Sequence, residues 1–75
     1  MVNTALFKMQ LVKKGFSQRE FCRAAGFNLN TFNAKLNNKG YFNTQEIETS
    51  ARVLGLNSET DANLLCDIFL SSPSQ

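Results

Sequence analysis

The chain predicts an all-α fold, a compact bundle of about five short helices, on three observations. Hydroxyl or amide residues followed three positions later by a carboxylate recur as helix starts (Ser17 with Glu20, Asn43 with Glu46). Single glycines at 15, 26 and 55 stand where an apolar period breaks off, as helix ends do. No segment alternates apolar and polar residues long enough to form a strand, and the best candidate, Gly40 to Asn43, is too short to build a sheet.

The first helix is expected to begin near Asn3 or Thr4 and to run to Lys14. Leu6, Met9 or Gln10, and Val12 or Lys13 mark its period, and Gly15 stops it. Lys13 and Lys14 suit the negative end of the helix dipole, a role that competes with phosphate contact. Ser17 and Glu20 form a capping box, so a second helix starts at Gln18. Phe21, Cys22 and Ala25 make its apolar stripe, and Gly26 ends it by adopting the left-handed conformation without a Cβ penalty. Asn28 caps a third helix that carries Leu29, Phe32 and Leu36 at i, i+3 and i+7 and leaves Asn30, Asn33, Ala34 and Asn37 on the opposite side. Two capped helices hinged at one glycine read as a helix-turn-helix. Asn43 and Glu46 open a fourth helix with Ile47, Ala51 and Leu54 on one face; Gly55 ends it, and Leu56 packs back. Ser58 and Asp61 form a weaker capping pair for a fifth helix through Leu64, Leu65, Ile68, Phe69 and Leu70. Residues 1–70 are expected to form one domain. The polar residues 71–75, with Pro73 barring a helix, are expected to be a flexible tail.

A chain of 75 residues buries only about 60% of its unfolded surface, so stability requires good packing or dimerisation. Seven phenylalanines and a 43% hydrophobic content supply one core. No stretch approaches the roughly 18 apolar residues of a membrane span. The first residues lack the pattern of a secretory signal, so a cytoplasmic location is expected. Cys22 and Cys66 both sit beside apolar residues on helices, without a Cys-x-x-Cys spacing and with no histidine in the chain. Both are expected to be reduced core residues, and no metal or other cofactor is implied. Catalysis would need a nucleophile with a base, a metal, or paired carboxylates. The six acids are assigned to caps (Glu20, Glu46, Asp61) or to solvent (Glu48, Glu59, Asp67), so an enzyme is not expected.

The net charge is only +2, but it is unevenly placed. Up to Lys39 there are seven basic residues (Lys8, Lys13, Lys14, Arg19, Arg23, Lys35, Lys39) against Glu20, giving +6; the remainder sets Arg52 against five acids, giving −4. One positive and one negative side is the footprint of a domain that docks one face on a phosphate backbone. The outward side of the third helix adds to this, because it is amide-rich and lacks carboxylates, and Asn and Gln can pair with adenine N6 and N7 in the major groove.

These residues resemble the Cro/CI-type, Xre-like helix-turn-helix family of phage repressors. The matching pattern is Ser17, Gln18, Glu20, Phe21, Cys22, Gly26, Phe32 and Asn37, within a likeness that extends over Leu6 to Leu56. The chain departs from the family where Lys35 replaces a commonly apolar residue, with Leu36 one step later. Its loop Asn38 to Phe42 also lacks the family's basic run and proline. The resemblance implies a small bacterial or phage transcription regulator, cytoplasmic in a bacterial or phage-infected cell, that binds double-stranded DNA, either as a Cro-like repressor or as an antirepressor in a lysis–lysogeny switch, without the cleavable C-terminal domain of longer repressors. It also implies that Gln18 helps to hold a phosphate.

The residues expected to contact bases are Asn28, Leu29, Asn30, Thr31, Asn33 and Ala34, with Leu29 or Ala34 available to a thymine methyl. Leu29 has a competing core role through its spacing from Phe32 and Leu36. Gln18, Arg19, Lys35, Asn37 and Lys39 are the phosphate candidates. The fifth helix is rich enough in apolar residues for Leu65, Phe69 and Leu70 to serve as an interface. That interface would join a homodimer, in solution or only on DNA, or in the alternative reading engage a second regulatory protein.

Overall fold

The computed structural model describes residues 1–57 and 59–70. They are all-helical: α1 Thr4–Lys14, α2 Gln18–Ala25, α3 Leu29–Leu36, α4 Thr44–Leu54 and α5 Ala62–Phe69. Helix α2 packs on α3 and α4, and α1 packs on α4 and α5. No described helix is long and apolar enough to cross a membrane. The expected tail at 71–75 and the expected role of Ser58 lie outside the described residues.

Local chemistry sets the helix boundaries. The side chains of Asn3, Ser17, Asn28 and Asn43 each accept the backbone N–H three residues on, and Glu20 and Glu46 complete capping boxes by accepting the N–H of Ser17 at 3.0 Å and of Asn43 at 2.9 Å. Helices α1 to α4 then end alike. After α2, Gly26 turns left-handed at φ 77° and the Phe27 N–H reaches back to the Cys22 carbonyl at 2.9 Å, which returns Phe27 to the core. Phe16 and Leu56 return in the same way after α1 and α4. At the end of α3 the left-handed position is filled by Asn38 (φ 63°), and the Lys39 N–H bonds to the Ala34 carbonyl at 2.8 Å.

All seven phenylalanines join one aromatic network. Phe7 is fully buried at its centre, 5.3 Å from Phe21, 5.5 Å from Phe32 and 5.9 Å from Phe69 between ring centroids. Phe42 ties the α3–α4 loop to Phe32 and Phe69, Phe27 lies stacked on Phe32, and Phe16 meets Phe21. Each such pair contributes about 0.5–1.5 kcal/mol beyond its buried area. All five helices and the first three connections therefore share one apolar centre, completed by Leu11, Leu36, Leu54 and Ile68.

Three expectations are corrected here. The buried face of α1 is Phe7, Gln10 and Leu11, while Met9 and Val12 are exposed. Apolar residues occupy most positions from Ala5 to Val12, so the period alone admits two faces, and the large ring of Phe7 decides between them. Asp61 precedes α5 but makes no side-chain cap; its carboxylate instead accepts the Asn57 N–H at 2.8 Å, while the Asn57 amide oxygen accepts the N–H groups of Glu59 and Thr60. Cys22 is buried as expected, and burial pushes its thiol up, but Cys66 is exposed.

The first residues supply a tether with no sequence signal. The Val2 N–H donates to Asn38 Oδ1 at 2.8 Å, and Asn38 Nδ2 donates to the Val2 carbonyl at 3.1 Å. Thr4 Oγ1 donates to the Leu36 carbonyl at 2.6 Å, and the Asn3 N–H donates to the Ile68 carbonyl at 2.7 Å. The chain start thus holds the ends of α3 and α5 together.

Candidate nucleic-acid interface

Helix α3 is held from behind and bare in front. Phe32 and Leu36 anchor it in the core and Leu29 packs half-buried against them, whereas Asn30, Thr31, Asn33 and Asn37 are exposed. The periodicity that separates these faces is already visible in the sequence, and the three-residue connection Gly26-Phe27-Asn28 aims the helix by packing Phe27, half-buried, against the core.

The exposed amides are ordered by one another. Gln18 Nε2, in the first turn of α2, donates to Asn33 Oδ1 at 2.9 Å. Asn37 Nδ2 donates to the Asn33 backbone carbonyl at 2.9 Å and more weakly to Asn33 Oδ1 at 3.4 Å. An amide oxygen has two lone pairs, so Asn33 Oδ1 is occupied and Asn33 Nδ2 is left to donate outward. Asn30 and Thr31 project from the first turns with their side-chain polar atoms outside this chain of bonds. The Asn28 amide oxygen is committed to the cap, accepting the Thr31 N–H at 3.0 Å. Ala34 is half-buried, and Leu29 takes the core role that its spacing allowed.

The basic candidates divide. Arg19 and Lys39 are exposed, as are Arg23, Lys13 and Lys14. Lys35 is engaged within the chain: its Nζ lies 2.7 Å from Glu46 Oε2, with both side chains about one quarter exposed. A phosphate contact at Lys35 would have to compete with this ion pair. Leu36 occupies the buried register, which turns Lys35 toward α4, where Glu46 neutralises it. Glu20, by contrast, keeps its charge next to the free N–H groups of α2 through its bonds with Ser17, which hold its carboxyl below the ordinary range.

The interface candidates divide as well. Phe69 is 4% exposed and belongs to the aromatic core, so only its edge reaches the surface, at the floor of the α4–α5 groove. Leu70 is exposed and Leu65 half-buried. The cleft between α3 and α4, lined by Phe27, Phe32, Lys35, Phe42 and Glu46 and edged by Gly26, Asn28 and Thr31, holds about 210 Å³, below the roughly 300–1,000 Å³ of small-molecule pockets. Among the described residues no three cysteine, aspartate or glutamate side chains gather into a metal-binding set.

No family model, curated protein or solved structure matches this chain.

Proposed function

We propose that the chain is a sequence-specific DNA-binding regulator of the Cro-like repressor type, with α2 and α3 acting as a helix-turn-helix and α3 entering the major groove. The observation that carries this reading is the outward face of α3. Asn30, Asn33 and Asn37 are exposed together, free of carboxylates and braced by Gln18 from the first turn of α2, with Thr31 exposed at the edge of the cleft that Glu46 lines. The cross-helix bond fixes the orientation of Asn33, and base reading needs amide groups held in a fixed orientation. Arg19 and Lys39 supply the positioning charge, and the acids of the second half keep the remaining surface from phosphate. Asn30, Thr31 and the outward Nδ2 of Asn33 read base edges; Gln18 and Asn37 orient Asn33.

Selection of bound duplexes from a random pool tests this directly. Enrichment of one site, with binding that weakens steeply as salt rises, supports the reading; equal recovery of all sequences at every salt concentration rejects it.

A further inference from the structure

Among the described residues two apolar surfaces are left uncovered, one edged by Lys8 and Lys13 and the other by Glu48. On α1, Ala5, Met9 and Val12 follow at i, i+4 and i+7 on the side away from Phe7 and Leu11. Met9 is 64% and Val12 80% exposed, and Lys8 and Lys13 flank the stripe on either side. Between α4 and α5 lies a groove built on Ile47, Leu65 and Phe69, with Cys66 and Leu70 on its α5 wall and Glu48 on its α4 wall. Asp67, also exposed, follows Cys66. Contiguous apolar surface edged by charge marks an interaction site.

We propose that the α1 stripe of one copy docks in the α4–α5 groove of a second copy, with Lys8 and Lys13 facing Glu48 and Asp67. Within one chain the two surfaces cannot meet, because α1 turns its Phe7 and Leu11 face to the core it shares with α4 and α5. Stripe against stripe would oppose lysines, and groove against groove would oppose carboxylates; only the mixed pairing brings unlike charges together. The contact is heterologous, so a joined pair keeps one free stripe at one end and one free groove at the other, and chains add head to tail. The assembly is a property of the protein alone and does not rest on DNA binding.

Oxidative cross-linking of the DNA-free chain over a range of concentrations tests this. Cys22 is buried, so Cys66 is the exposed thiol of the native chain. Met9→Cys adds a second thiol in the middle of the stripe, and Val12→Cys serves if that variant loses helicity by circular dichroism. The native chain is expected to remain monomeric on oxidation, whereas Met9→Cys forms a ladder of dimers, trimers and higher species. Adding Lys8→Glu and Lys13→Glu abolishes the ladder, and further adding Glu48→Lys and Asp67→Lys restores it. Three results overturn the proposal. Native chains joined through Cys66 would assign the groove to a symmetric dimer. A folded Met9→Cys chain that never forms a ladder would leave the surfaces unpaired. A Cys66 thiol unreactive in the dilute monomer would mean that the chain's own residues fill the groove.

Discussion

Lys35 Nζ lies 2.7 Å from Glu46 Oε2, and the other oxygen of that carboxylate accepts the Asn43 N–H at 2.9 Å, so one side chain both caps α4 and anchors α3. Partial burial raises the Glu46 pKa, but the bond from Lys35, the bond from Asn43 and the charge of Lys35 outweigh it, leaving the carboxyl below its ordinary range.

This gives stability a defined acid dependence. A carboxyl whose folded pKa is depressed contributes stability that is fully present above its unfolded value and is lost as pH falls through its folded value. Urea midpoints measured down through the carboxylate range should fall more steeply for the native chain than for Glu46→Gln, and the curves should converge at the acid end. Parallel curves would show that Glu46 does not contribute to the acid dependence.

Because Lys35 is paired internally, Lys35→Met should lower stability by roughly 1 kcal/mol and leave the salt dependence of DNA affinity almost unchanged. Lys39→Met and Arg19→Met should do the reverse, each reducing the magnitude of the log–log salt slope by about 1. Affinity titrations at several salt concentrations separate the two groups.

Asn30→Ala should cost about 1–3 kcal/mol of binding to the selected site and nothing on random DNA. Gln18→Ala and Asn33→Ala should each weaken specific binding, and the double variant should lose less than the sum of the two, because Gln18 acts by orienting Asn33. An additive double variant would separate the two roles.

Asn38 holds a left-handed backbone and clasps both polar groups of Val2. Asn38→Gly keeps the backbone freedom and loses only the clasp, whereas Asn38→Ala adds the left-handed penalty of about 1–2 kcal/mol. Thermal melts should therefore rank native above Gly above Ala.

Phe69→Ala should destabilise the monomer by about 3–5 kcal/mol as a core deletion, while Leu70→Ser should leave its stability nearly unchanged. Urea unfolding of the two variants checks this; a stable Phe69→Ala monomer would contradict the core assignment.

What could be read along the chain was local. The capping boxes at Ser17 and Asn43, the glycine endings and the amphipathic stripe of α3 depend on groups three or four residues apart, and such interactions are written into residue order. They suffice for the all-helical fold and for the exposed amides of α3. The roles settled by distant partners were not legible. Lys35 and Lys39 are the same residue type four positions apart, and only the placement of α4 gives one of them to Glu46. Phe69 and Leu70 are neighbours of equal hydropathic promise, yet Phe7 and Phe42 draw one inward. The α1 stripe was ambiguous because apolar residues surround that helix, and the tether from Val2 to Asn38 joins segments 36 positions apart, pairing the Asn38 amide with backbone groups that any residue at position 2 other than proline would offer. Residue order determined which helices form and where they stop; tertiary packing decided which of their side chains remain free to meet a partner, because burial and ion pairing depend on what the rest of the chain brings alongside.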